Sequence, residues 1–117
     1  MKKGFIFWRD KQYISKESYH PIIFWKYTDS NEFVGLMITH ATASEYGNLN
    51  LNDNSYFDEK KGDFSKTFIV NALLLKPVDW LAGYSKIGQL SEKGIKYVES
   101  VTKGMNPITW DDYNASK

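Results

Sequence analysis

The chain has 117 residues, close to the usual size of one domain, so it can bury one hydrophobic core but not two. Its composition, 42% hydrophobic and 16% aromatic, excludes an intrinsically disordered chain and predicts a single globular domain over residues 1–117. The formal net charge of +1, from 15 basic and 14 acidic residues, excludes a strong overall field for nucleic acid, so such binding needs a local patch.

The sequence contains no cysteine, which excludes disulfides, thiolate metal sites and cysteine nucleophiles and suits a reducing compartment. The N-terminal stretch MKKGFIFWRD begins like a signal peptide, but Arg9 and Asp10 end its apolar run early. No apolar stretch approaches the roughly 20 residues that a membrane helix requires. We therefore expect a water-soluble, cytoplasmic protein that does not associate with membranes.

The first part of the chain predicts three strands. GFIFW at 4–8 is a short aromatic and β-branched run that ends in a charged segment. PIIFWKY at 21–27 opens with a proline, which is tolerated at the first position of a strand. After the turn-forming TDSNE, the segment FVGLMITHAT predicts a strand over 33–40. The second and third strands are expected to pair as a hairpin.

The second part of the chain combines loop, strand and helix patterns. Residues 44–66 are rich in Asn, Asp, Gly and Ser and predict a long variable loop, with NLNLN as a candidate short edge strand. TFIVNALLLKP at 67–77 fits either a helix or a strand by length, and the neighbouring strands favour a strand. Ser91 as N-cap and apolar residues three apart predict a helix over 91–103, despite Gly94. The tail MNPITWDDYNASK lacks periodicity and predicts a frayed or partner-held end.

Several short strands followed by one helix predict a mainly β fold: a small SH3-like barrel, or strongly bent antiparallel sheet, with a C-terminal helix. Here the sequence resembles the MazF/PemK family. KKGFIFW is similar to the family's opening strand, HPIIFWKY to its Arg-Pro strand, and FVGLMITHAT to the next strand, which ends in a threonine. LLLKPVDWLAGYSKIGQLSEKGIKYVESV resembles the family's C-terminal stretch with its Lys-Ile-Gly-x-Leu-Ser motif and helix.

The resemblance implies a homodimeric endoribonuclease toxin that cleaves single-stranded RNA without a metal or other cofactor. It also implies an antitoxin protein whose disordered tail lies in the RNA-binding groove. In the family an arginine precedes the proline of the second strand and a threonine ends the third, and both act on the scissile phosphate. Thr39 keeps the second position, whereas His20 stands where the arginine is expected.

A histidine at this position suits the chemistry. Cleavage by the 2′-hydroxyl needs a base, an acid and a donor on the phosphate, and imidazole transfers protons near neutral pH better than arginine does. His40 is a second candidate, but adjacent strand residues point to opposite faces, so only one of Thr39 and His40 can share a face with His20. The alternative is structural, because a histidine before proline and a threonine in a strand are both ordinary residues there.

Six residues are candidates for RNA binding, because a single strand needs cations and a stacking surface. They are Arg9, Lys11, Tyr13, Lys16, Lys76 and Lys86. The first four lie in or beside the loop after the first strand, where the family usually has glycines that this chain lacks. The last two fall in the family-like C-terminal stretch as expected phosphate contacts, with solvated surface lysines as the alternative.

Two functional classes follow from this reading. The favoured class is an endoribonuclease toxin of the MazF/PemK type with an altered catalytic pair. The alternative is a catalytically silent SH3-like module that binds RNA or a protein partner. We also expect a homodimer, because 4 Trp, 7 Phe and 8 Tyr are more than so small a domain buries easily.

Overall fold

The structure is a computed structural model, and it describes residues 2–9, 20–28, 31–39, 47–60 and 68–115. Within these residues the fold is mainly β, as the sequence predicts: a strongly curled antiparallel sheet forms half a barrel, with a C-terminal helix. No helix in this part of the chain is long and apolar enough to cross a membrane.

The strands number nine in the described ranges. They are β1 (Phe5–Arg9), β2 (Ile22–Tyr27), β3 (Glu32–Thr39), β4 (Leu49–Asn50), β5 (Phe57–Lys60), β6 (Phe68–Ile69), β7 (Leu74–Pro77), β8 (Tyr84–Leu90) and β9 (Ile108–Thr109). The α-helices are α1 (Glu92–Thr102) and α2 (Trp110–Ala115), and short 3₁₀ turns cover 54–56 and 78–81. The sheet order is β4-β6-β3-β2-β1-β8-β5, while β7 pairs with β3 and, in parallel, with β9.

The central hairpin of β2 and β3 is confirmed. Its antiparallel register sets Ile22 opposite Met37 and Ile23 opposite Leu36. β3 is buried from Phe33 to Thr39, and β2 is buried over its first four residues. Burial on both faces explains why these strands read as continuous apolar runs rather than as alternating patterns.

The main core fills the concave face of the sheet. Its buried residues come from the strands, from the segment after β4 and from α1, and they are Ile6, Ile23, Trp25, Val34, Leu36, Ile38, Leu51, Ile69, Leu73, Leu90 and Val98. The predicted helical stripe packs here, with Ile95 and Val101 partly buried beside Val98. Ser91 caps α1 as predicted, because its Oγ accepts a hydrogen bond from the Gly94 amide at 3.0 Å.

The outer face of the sheet carries two smaller apolar clusters. One contains Ile22 and Phe24 of β2, and the other contains Met37 of β3 with Tyr113 of α2. The prediction of an irregular tail is therefore wrong, because β9 pairs with β7 and α2 buries Tyr113 against the sheet. A helix of six residues is too short to show periodicity in the sequence.

Two further predictions need correction. The expected strand over 67–77 is interrupted at 70–73, so that β6 and β7 pair with the same edge of β3 in registers that differ by two residues. The candidate edge strand in NLNLN is confirmed as β4, which ends the sheet order, whereas the rest of 44–66, expected to be a loop, also contributes the 54–56 turn and β5 within its described part. β8 was not predicted as a strand, although it pairs with both β1 and β5.

Candidate nucleic-acid interface

His20 and Thr39 lie at the open end of the β2–β3 hairpin. The last paired residues of the hairpin at this end are Ile22 and Met37. The Ile38 amide donates to the Pro21 carbonyl at 2.8 Å, so the two segments stay in contact as far as Pro21. The chain bends at His20, directly before this contact, and Thr39 is the last residue of β3. The two predicted catalytic residues therefore lie at the same end of the hairpin.

Thr39 faces away from the main core. Side chains alternate along a strand, so Thr39 shares a face with Met37, which packs in an outer cluster, while Ile38 packs in the main core. Thr39 is 7% exposed and His20 is partly exposed, and both make contacts in the structure. His20 is thus the more accessible member of the pair.

A row of paired residues starts at Thr39 and continues across the sheet. Thr39 of β3 pairs with Phe68 of β6, and Phe68 pairs with Asn50 of β4. Two strand spacings of about 4.8 Å separate Thr39 from Asn50, or about 10 Å along the sheet. Phe68 is partly exposed and Asn50 is exposed, so the row presents an aromatic ring and an amide beyond Thr39.

A cleft of about 210 Å³ lies beside β4 at the end of this row. Its lining residues are Asn50, Asn52, Asp53, Tyr56 and Tyr97. The two tyrosine rings are stacked, with centroids 4.5 Å apart and an interplanar angle of 12°. The Tyr97 hydroxyl donates to the Asn50 carbonyl, which fixes α1 against β4. Burial raises the pKa of this hydroxyl, so it stays a hydrogen-bond donor at neutral pH.

The turn at 53–56 builds the polar side of the cleft. Asp53 caps the turn, because its Oδ1 accepts from the Ser55 amide at 2.8 Å and from the Ser55 hydroxyl at 2.6 Å. These bonds from Ser55 hold the pKa of Asp53 below its usual range, so the carboxylate is ionised at neutral pH. Lys93 of α1 adds a cation, with Nζ 2.8 Å from Ser55 Oγ and 3.6 Å from Asp53 Oδ2.

The loop candidates for RNA binding fall largely outside the described residues. Lys11, Tyr13, Lys16 and His40 lie in the ranges that the structure does not describe. Arg9 is the last residue of β1, where its backbone pairs with Tyr84 of β8. These residues stay predictions.

Lys76 lies on β7 and is 3% exposed. Its Nζ is 4.6 Å from the Trp80 ring centroid and 5.2 Å from that of Trp110. The ammonium thus faces two indole rings, and the ring of tryptophan attracts cations more strongly than the rings of tyrosine and phenylalanine. This contact ties β7 to the C-terminal segment, and it gives Lys76 a packing role that the sequence did not indicate.

Lys86 lies on β8, which pairs with the edge of β1 opposite to β2. Its Nζ is 3.0 Å from Glu59 Oε2, donates to Gln89 Oε1 at 3.1 Å, and lies 4.0 Å from the Phe5 ring centroid. The side chain is partly exposed. Lys86 therefore has protein partners, and an RNA phosphate would compete with the Glu59 carboxylate for its ammonium.

The sequence analysis missed the cleft, because nothing local shows that the helix and the turn after the NLNLN strand come together. The available signals were the alternation in NLNLN, which contains Asn50 and Asn52 and marks β4, and Tyr97 on the helix beside the predicted apolar stripe. No protein-family model, curated protein or solved structure matches the chain.

Proposed function

We propose that this protein is an endoribonuclease that cleaves single-stranded RNA without a metal ion, with His20 and Thr39 as the reacting pair. The supporting observation is the hydrogen bond from the Ile38 amide to the Pro21 carbonyl, which holds the residue before Pro21 at the same end of the hairpin as Thr39. Two side chains at one end of a hairpin can contact the same phosphate group.

The proposed reaction is transfer of the phosphoryl group within the RNA chain. The 2′-oxygen bonds to phosphorus while the bond from phosphorus to the 5′-oxygen breaks, which leaves a 2′,3′-cyclic phosphate and a 5′-hydroxyl. His20 accepts the proton of the 2′-hydroxyl, because imidazole can act as a base near neutral pH, and the leaving 5′-oxygen takes a proton from a solvent water molecule; in the reverse assignment His20 protonates the 5′-oxygen and water accepts the 2′-proton. The Thr39 hydroxyl donates a hydrogen bond to a phosphate oxygen as negative charge develops.

The biological setting proposed with this activity comes from the resemblance to the MazF/PemK family. In that setting the protein is a homodimeric toxin of the cytoplasm, and an antitoxin neutralises it by occupying the RNA site. Growth arrest on expression, relieved by a small protein encoded by a neighbouring gene, would support this part of the proposal.

The test is incubation of the purified protein with a long single-stranded RNA in EDTA. The proposal predicts fragments that end in a 2′,3′-cyclic phosphate and begin with a 5′-hydroxyl. A preparation that leaves the RNA intact over hours, at micromolar protein and across pH 5–9, would refute the proposed activity.

A second candidate is a catalytically silent module that binds RNA. The burial of Thr39 favours it, because a residue that is 7% exposed offers little of its surface to a phosphate. This candidate predicts that single-stranded RNA binds and is recovered uncut.

A further inference from the structure

The cleft beside β4 combines features that suit a flat, polar ring. Its two tyrosine rings stack on each other and contribute aromatic surface to the lining, while Asn52 and Asp53 contribute amide and carboxylate groups. Single-stranded nucleic acid is recognised by stacking of unpaired bases on aromatic side chains and by hydrogen bonds to the base edges. A side-chain amide can donate and accept at once, as a base edge requires.

The size of the cleft limits what it can hold. Its volume of about 210 Å³ is below the roughly 300–1,000 Å³ of pockets for drug-sized ligands. A single nucleobase fits a cleft of this volume, whereas a folded peptide segment or a base pair does not.

A cation stands at the cleft in a position to contact a phosphate. Lys93 Nζ lies 5.5 Å from the Tyr56 ring centroid, and its side chain is 63% exposed. The ion pair between Lys93 and Asp53 is exposed and therefore weak, so the ammonium can exchange this partner for a phosphate.

Edge strand β4 connects the cleft to the proposed catalytic pair. Asn50 lines the cleft and also ends the row that runs through Phe68 to Thr39. Tyr56 and Tyr97 pack against the main core, whereas Thr39 faces away from it, so an RNA strand bound at both places passes around the edge of β4. The distance along the row, about 10 Å, is short enough for a few nucleotides of extended RNA.

We propose that the cleft lined by Asn52, Tyr56 and Tyr97 binds one nucleobase of a single-stranded RNA, with Lys93 on the adjoining phosphate. This inference rests on the proposed function, because it assumes that RNA is the substrate. It adds a binding subsite that lies apart from the reacting pair.

The experiment measures binding and cleavage separately. Fluorescence anisotropy with a labelled, fully 2′-O-methylated 12-nucleotide single strand reports binding, because this probe has no free 2′-hydroxyl with which to be cut. The unmodified RNA of the same sequence reports cleavage.

Two variants address the cleft, each with a matched control elsewhere. Asn52→Ala removes an exposed amide, and Asn106→Ala removes an exposed amide between α1 and β9. Lys93→Gln removes the cation at the cleft, and Lys96→Gln removes one that pairs with Glu92 on the same helix. All four positions are exposed, and circular dichroism checks that each variant folds.

Asn52→Ala is expected to raise the Kd of the methylated strand about 3- to 10-fold, the effect of losing one hydrogen bond. Lys93→Gln is expected to lower the slope of log K against log salt by about 0.7, the value for one phosphate on a single strand. Both controls are expected to bind like the parent.

The outcomes separate the two proposals. If the cleft variants bind like the parent while the parent cuts RNA, the cleft assignment is wrong and the nuclease proposal stands. If the cleft variants weaken binding but the parent leaves the unmodified RNA intact, the cleft assignment stands and the nuclease proposal fails. If the parent does not bind the methylated strand at all, the cleft assignment is wrong whatever the cleavage assay gives.

Discussion

Replacing Gly94 by alanine tests the contact that builds the candidate cleft. Gly94 lies in the first turn of α1, where helix propensity alone favours alanine by about 1 kcal/mol. In the structure, however, a Cβ at this position would lie 2.2 Å from the carbonyl oxygen of Tyr56 and 3.1 Å from its Cα. Real Cβ contacts essentially never fall below 3.0 Å, so the backbone at Tyr56 would have to move.

The cost of that movement exceeds the gain in propensity. The Tyr56 carbonyl accepts from the Ser91 amide at 2.8 Å, and the Ser55 carbonyl accepts from the Ser91 hydroxyl at 2.6 Å. Overpacking costs about 1–3 kcal/mol, and a weakened hydrogen bond costs about 0.5–1.5 kcal/mol. We therefore expect Gly94→Ala to lower the free energy of unfolding by about 1–3 kcal/mol, after subtracting the gain in propensity.

Urea denaturation followed by circular dichroism measures this difference. The control is Glu99→Ala, an exposed position of α1, which should stay within about 0.5 kcal/mol of the parent. A Gly94→Ala protein that is as stable as the parent, or more stable, would show that propensity dominates and that α1 does not pack this closely on Tyr56.

Three other substitutions probe the same structure. Lys76→Met should lower the free energy of unfolding by about 1–2 kcal/mol, because the attraction between the ammonium and two indole rings is lost. Urea denaturation measures the change with Lys103→Met as the exposed control, and equal stabilities of the two variants would argue against the contact. Ser91→Ala should cost about 1–2 kcal/mol in the same assay, since the helix loses its N-cap, and an unchanged midpoint would refute the cap. The lowered pKa of Asp53 means that its stabilising contribution is present above the unfolded-state pKa and is lost as pH falls through the folded-state value. Asp53→Asn should therefore lose less stability than the parent between pH 6 and 2. An equal loss in the two proteins would contradict the bonds from Ser55.

The β2–β3 hairpin could be predicted because its strands are buried on both faces, which leaves two apolar runs separated by a polar turn. The helix could be predicted because Ser91 is a strong N-cap residue and an apolar stripe follows it. In both cases the information is local, so a single sequence carries it.

Other features depend on contacts between distant segments. Lys76 reads as a surface lysine, because nothing near it in the sequence shows that Trp110 will lie beside its ammonium. Tyr113 is buried only because β9 brings α2 onto the outer face of the sheet. The break between β6 and β7 accompanies a two-residue shift in their register along the same edge of β3, which no local pattern encodes.

The candidate site likewise has one feature that the sequence could predict and one that it could not. The placement of His20 and Thr39 at one end of the hairpin follows from the pairing of β2 with β3, so the sequence could predict it. The cleft requires Tyr97 from α1 to stack on Tyr56 from a turn that reads as loop, so the sequence could not.

Whether His20 is catalytic is tested most directly by the single-turnover rate of RNA cleavage in EDTA, measured for the parent and for His20→Ala. We expect a parent rate that changes between pH 5 and 8, where histidine titrates. We also expect a loss of about 10²–10⁴ in rate for His20→Ala, the usual contribution of general acid–base catalysis. If a folded His20→Ala protein cleaves RNA as fast as the parent, His20 is not catalytic and the account is contradicted.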